Sequence, residues 1–165
     1  GQVNVGLASS AVSGGSQVNA KIPGQQTNAQ AELSVKANAA LALSSKQMAK
    51  TVTVEQGALV DTSATQSGNG GSIAIWSEVK TTVAGILKSM GGTVSGNGGF
   101  IETSSKTEVA LAPTAQMNTS ASKGKSGTWL LDPIDLIIDR AAANIISAAL
   151  ALNNVIIEVN ANTTA

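Results

Sequence analysis

The chain has 165 residues, with nine Lys and Arg140 balanced by ten carboxylates, and neither histidine nor cysteine. That balance excludes the basic stripe by which proteins neutralise nucleic-acid phosphates; the missing His and Cys remove the usual zinc and copper ligands and the commonest general base. The length suits one domain, the aromatics are only Trp76, Phe100 and Trp129, and no run of 18 apolar residues is present to insert into a membrane.

From the first residues Val3, Val5 and Leu7 alternate with Gln2, Asn4 and Gly6, which predicts a strand. The opening Gly1-Gln-Val-Asn-Val carries no basic or apolar leader, as expected of a mature protein, an excised fragment or a cytosolic one. Ser13-Gly-Gly-Ser16 reads as a turn, and Val18, Ala20 and Ile22 as a second strand that Pro23-Gly24 stops. Residues 25–30 are polar and loop-like. Ala31 to Leu43 alternates with a period of two, bending near Ala39; its Ala-rich composition leaves a helix as the alternative.

The strongest signal follows. Ser67-Gly-Asn-Gly-Gly71-Ser-Ile-Ala-Ile-Trp76 returns 28 residues later as Ser95-Gly-Asn-Gly-Gly99-Phe-Ile-Glu-Thr103. After another 28, Lys123-Gly-Lys-Ser-Gly127-Thr-Trp-Leu-Leu131 repeats its skeleton. Gly68, Gly96 and Gly124 are in register, as are Gly71, Gly99 and Gly127, and Ile73, Ile101 and Trp129 two places on. Between these turns, Thr51 to Ala64 reappears in degenerate form as Thr107 to Ala121, with Asp61 matching Asn118 and Ser63 matching Ser120, 57 residues apart. Gly57 and Pro113 fall one place apart in a short turn. Val83, Ile86, Leu87 and Met90 admit either a helical turn or a looped excursion within residues 78–92.

A period of this length marks a unit that cannot bury its own apolar face and must stack on a neighbour. Glycine turns permit positive φ at several adjacent positions, and strands follow them in register; stacked parallel strands, a β-helix, fit better than an antiparallel blade. Ile73, Ile101, Trp129 and Leu131 are the expected core. Beyond Trp129, Asp132-Pro133 is expected to end the strand and Ile134 to Asp139 to be a β-rich run. Asp139 then caps a short helix that presents Ala142, Ile145, Ile146, Ala149 and Leu152 on one face. Asn153-Asn154 stops it, and Val155 to Val159 closes as a strand. The whole is a single domain over residues 1–165: less regular rungs in 1–50, clear repeats in 51–133, and a terminal rung with a short helix in 134–165.

Little here points to chemistry, and no catalytic residue, metal or cofactor is expected. Asp132, Asp135 and Asp139 are the tightest acidic group, but residues 132 and 135 face opposite sides of a strand, so capping is favoured over calcium. A carbohydrate-cleaving site needs paired carboxylates along a groove, and these are scattered. Neither Gly-Asn-Gly-Gly copy completes a phosphate loop. Trp76 and Trp129 have the rings to stack on sugars, Trp76 being the candidate glycan contact, although filling a corner of the stack is the plainer role. Asn118-Thr-Ser120 and Asn162-Thr-Thr164 match the N-glycosylation pattern, which arises often by chance in such a composition.

Gly98-Gly-Phe-Ile-Glu-Thr-Ser104 followed by Gly127-Thr-Trp-Leu-Leu-Asp-Pro133 resembles the secreted exoproteins of Gram-negative two-partner secretion systems, the filamentous haemagglutinin-like and high-molecular-weight adhesins. The run Ile145-Ile-Ser-Ala-Ala-Leu150 leading into Asn154-Val-Ile-Ile-Glu-Val159 continues the likeness, which covers residues 52–159; residues 1–50 match in composition alone. The resemblance implies a right-handed parallel β-helix, secreted or held at the bacterial cell surface, that acts in adhesion, aggregation or biofilm formation. It implies a host-cell or matrix glycan or protein receptor, and an outer-membrane transporter partner during secretion. Open strand edges at the ends of such a stack imply a longer precursor or head-to-tail self-association into a filament.

Overall fold

The computed structural model describes residues 1–5 and 49–159. The alternating segments form strands β1 (Gln2–Val5), β2 (Thr51–Val54), β3 (Leu59–Asp61), β4 (Ser72–Ser77), β5 (Lys80–Val83) and β6 (Ile86–Lys88). They continue with β7 (Phe100–Leu111), β8 (Gln116–Asn118) and β9 (Thr128–Asp135), then helix α1 (Arg140–Leu150) and strand β10 (Asn154–Ile157). The chain is thus sheet-rich with one short helix among the described residues. The strand predicted around Val18, the alternating segment Ala31 to Leu43 and the triplet at Asn162 lie outside the described residues.

Among the described residues every strand pairing is parallel, and the repeat sets the register. Ser72 pairs with Phe100 and Phe100 with Thr128, both 28 residues apart, and Thr128 pairs with Asn154. On the other flank Gln2 pairs with Ser72. Past a shift in register between Ser105 and Glu108, the second half of β7 pairs with β5, and β5 with β2. These strands make one seven-stranded sheet; β3, β6 and β8 make a separate three-stranded sheet. In the latter, Asp61 pairs with Lys88 and Lys88 with Asn118, so the 57-residue offset seen in the sequence divides into steps of 27 and 30.

One apolar cluster draws on both sheets: Ile73, Ile75, Ile101, Trp129 and Leu131 from β4, β7 and β9, Val83 from β5, and Leu87 and Met117 from β6 and β8. Period-two alternation sends these side chains inward. Each Ile, Leu or Val so buried stabilises by about 1.5–3 kcal/mol.

The glycines of the repeat do two different jobs. Of those in the repeat turns, only Gly68 and Gly96 adopt positive φ, at 123° and 122°. Gly71, Gly99 and Gly127 instead lie directly over one another: a Cβ on Gly99 would run into the carbonyl oxygen of Gly71, and one on Gly127 into that of Gly99. The expectation of several positive-φ residues per turn is therefore corrected. Gly68 and Gly96 turn the chain, Gly96 while also lying against the Gly68 carbonyl, and Gly99, Gly124 and Gly127 are glycine because the backbone of the preceding repeat occupies the space a side chain would need.

Three further expectations change. Residues 78–92 hold neither a helical turn nor a looped excursion: Val83 is the buried last residue of β5 and Leu87 the buried middle residue of β6, and the two strands meet at a bend at Ala84-Gly85. Their helix-like spacing arises because two strands of different sheets each contribute an inward residue. The break at Asp132-Pro133 is absent as well, since β9 runs on to Asp135. Proline is tolerated because β10 ends opposite Leu131, leaving Pro133 paired to Ser105 on one side only. The β-rich run then stops at Asp135, and Ile137 and Ile138 are exposed.

Candidate functional site

The described residues contain no group of three Asp or Glu arranged to hold a metal ion. Several of their polar side chains instead join one repeat to the next. Asn69 Oδ1 accepts from the Asn97 backbone N–H at 2.8 Å, and Asn97 Oδ1 from that of Lys125 at 2.9 Å. At the corner between β4 and β5, the Ser77 and Thr81 hydroxyls lie 2.8 Å apart; Ser77 also reaches Ser105, and Thr81 donates to the Ser104 carbonyl. All four of these residues are buried. Satisfying hydroxyls against one another and against backbone allows a corner to be polar without water.

Asp139 caps α1, its Oδ1 accepting from the Ala142 N–H at 2.8 Å, and the helix buries Ala142, Ile145 and Ala149. Ile146 is half-buried, and Leu152 lies beyond the last turn and is 38% exposed. A cavity of about 400 Å³ follows the seam between α1 and the three-stranded sheet, bordered by Ile86, Lys88, Gln116 and Asn118 on one side and Asn144 and Leu152 on the other. Its floor includes Met117 and Ile145, which belong to the core, so it is foremost the joint of helix on sheet. Asn118 at its edge accepts from the Ser120 N–H in an Asx turn.

The unusual chemistry is elsewhere. Ser72, Ala74 and Trp76 of β4 face away from the main core, as do Phe100, Glu102 and Ser104 of β7 and Leu130 and Asp132 of β9. On this outward face Ala74, Phe100 and Leu130 form a second buried apolar cluster. Glu102 sits between Ala74 and Leu130 in the strand register and is 0% exposed. Its Oε1 accepts from Trp76 Nε1 and Ser104 Oγ, both at 3.0 Å, whereas Oε2 is buried with no hydrogen-bond partner. Burial pushes the carboxyl up to about 7; the Trp76 and Ser104 hydrogen bonds oppose this, and the negative charges of Asp132 and Glu158 reinforce it. The sequence reading missed Glu102. Its only signal was a carboxylate in a column where both neighbouring strands carry aliphatic residues.

The sites expected from the sequence fall as follows. Gly68, Gly96 and Gly124 are stacked, a Cβ on Gly96 meeting the Gly68 carbonyl and one on Gly124 that of Gly96. Ile73, Ile101, Trp129 and Leu131 are completely buried, and Trp129 Nε1 donates to Thr103 Oγ1 at 3.0 Å. Trp76 is half-buried, with its N–H given to Glu102. Asp132, Asp135 and Asp139 are not brought together around a common centre: one lies beside Glu102, one pairs with Glu108 in the strand register, and one caps α1. Compared with known proteins, the chain matches no family model, no curated protein and no solved structure.

Proposed function

We propose that the chain is a segment of a right-handed parallel β-helix, and that it serves as a rigid rod in a secreted bacterial surface exoprotein acting in adhesion, aggregation or biofilm formation. The observation that carries the architectural part is the glycine column: Gly71, Gly99 and Gly127 can lie backbone on backbone only if each 28-residue repeat advances by one layer. Right-handedness follows from the strong preference of parallel crossover connections for that hand. Stiffness is supported by the ladder from Asn69 through Asn97 to Lys125, which ties successive repeats together at the turn. The adhesive role rests on the resemblance of Gly98 to Ser104 and Gly127 to Pro133 to two-partner secretion exoproteins. Receptor and transporter are inferred on the same basis.

The test is retention on a surface. Beads carrying the purified chain should bind cultured host cells or an extracellular glycan panel more than beads carrying a β-rich control of equal size, and Trp76→Ala should show whether that ring takes part. Retention equal to the control would remove the adhesive role and leave a purely structural rod.

A second reading, head-to-tail assembly into a filament, draws on one observation. Among the described residues β10 pairs on one side only, and Ile157 and Val159 at that end are 40% and 53% exposed. Such an edge accepts another strand. Rods in electron micrographs of concentrated protein are the expected outcome, and a monomer at every concentration in sedimentation would exclude it. An enzyme acting on polysaccharide is disfavoured because Glu102, the carboxyl best poised to be a general acid, has no exposed surface for a substrate to reach.

A further inference from the structure

We infer that Glu102 makes the outward face of β4, β7 and β9 a proton-linked joint between these strands, which is more stable while that carboxyl carries a proton. The inference stands on geometry. A carboxylate has two oxygens that both require donors, and a buried one left without them loses its hydration uncompensated. Glu102 receives two donors on Oε1 and none on Oε2. A proton on Oε2 removes the charge and leaves the Trp76 and Ser104 hydrogen bonds in place.

The charged surroundings agree. Among the described residues, β4 offers this face only Ser72, Ala74 and Trp76. Asp132 of β9 lies opposite Ser104, and Glu158 follows the end of β10. Both bring negative charge toward Glu102. Lys80 of β5 and Lys106 of β7 pair with Glu108 and Glu78. The joint does not depend on the surface role proposed above, because it concerns how layers are held together and not what they touch.

The direction follows from linkage. Below about 4.5 the folded and unfolded chains both hold the proton, and the neutral carboxyl imposes no charge penalty. As pH rises the unfolded chain releases it first, so stability falls until the folded group also ionises, near 7. Across that window the folding equilibrium should weaken on the order of 300-fold on account of this one group.

The experiment compares urea unfolding of the whole chain with that of Glu102→Gln from pH 4.5 to 8.5. Gln keeps an oxygen for Trp76 and Ser104 and cannot ionise. The native chain should lose stability relative to the variant as pH rises, the ratio of their folding constants changing by at least thirtyfold. Parallel pH profiles would overturn the inference. Should Glu102→Gln not fold, the tryptophan fluorescence of the unaltered chain, to which Trp76 contributes beside Trp129, provides the second reading. It should titrate near pH 7, and Glu158→Gln, which alters an exposed side chain, should move that midpoint downward. A flat fluorescence profile between pH 6 and 8, or a midpoint insensitive to Glu158→Gln, would overturn it equally.

Discussion

Asn153 takes the place of a missing strand for Thr119. Its Oδ1 accepts both the backbone N–H and the hydroxyl of Thr119, at 2.6 and 2.8 Å, and its Nδ2 donates to the Met117 and Ala149 carbonyls at 3.0 and 2.7 Å. In the layers before it the equivalent backbone donors are met by the following strand: Thr62 N–H by the Lys88 carbonyl, and Ser89 N–H by that of Asn118. One carboxamide, with an acceptor and donors at its tip, thus finishes the three-stranded sheet where α1 replaces the next layer. Asn153 is itself buried, so none of these groups has water to turn to.

Asn153→Ala is expected to lower stability by about 3 kcal/mol, because it strands buried donors and acceptors as well as removing their bonds. Asn153→Asp should be destabilised too, since it faces two carbonyls with an acceptor, and should recover part of the loss in acid, where a protonated carboxyl donates once. Denaturant midpoints at pH 4 and pH 8 check both. A loss under about 0.5 kcal/mol for Ala would mean that the edge is satisfied in another way.

Gly99→Ala is expected to be far more damaging than Gly57→Ala. The new methyl at residue 99 collides with the Gly71 carbonyl and the Ser89 hydroxyl, whereas at residue 57 nothing lies within 4 Å and the strain comes only from φ of 83°. Losses of about 3 kcal/mol or more and about 1 kcal/mol, respectively, follow from overpacking and from left-handed backbone. Equal losses in thermal unfolding would show that conformation, not close stacking, selects glycine in the column.

Deleting residues 72–99 joins Gly71 to Phe100 and removes one whole repeat. The shortened chain should keep its strand-rich circular dichroism and cooperative unfolding, because Ser72 and Phe100 occupy equivalent register positions. Deleting only residues 72–85 should abolish both, since it brings segments from different sheets into one layer. Similar behaviour of the two deletions would argue against layers that advance by one repeat.

Ser104→Ala removes one of the two donors to Glu102 Oε1. That hydrogen bond favours the ionised form, so its loss should raise the Glu102 midpoint from its value of about 7. Stability as a function of pH should then begin to level off at a higher pH than in the native chain. Unfolding curves at half-unit steps from pH 5 to 9 read this directly, and an unmoved or lowered midpoint would separate Ser104 from the titration.

The repeat was legible because a parallel stack places equivalent residues at equivalent spacings. Gly71, Gly99 and Gly127, and the inward Ile73, Ile101 and Trp129, therefore announce themselves in one dimension. The helix cap at Asp139 was equally readable, since a cap acts within three residues of itself. Pro133 misled because proline is a breaker only where a neighbouring strand needs its N–H, and that depends on where β10 ends. Val83 and Leu87 misled because a tight bend between two sheets mimics helical spacing.

What the amino-acid order determined by itself was therefore periodic and local: the length of the repeat, the inward residues, the turn glycines and the cap. Tertiary structure alone decided the fate of single side chains whose partners lie tens of residues away. Glu102 became a buried acid because β4 and β9 bring Trp76 and Asp132 to it, and Asn153 became a substitute strand because α1 delivers it to Thr119. Desolvation and hydrogen bonding depend on the full three-dimensional surroundings of a group, and no pattern along the chain encodes which neighbours those will be.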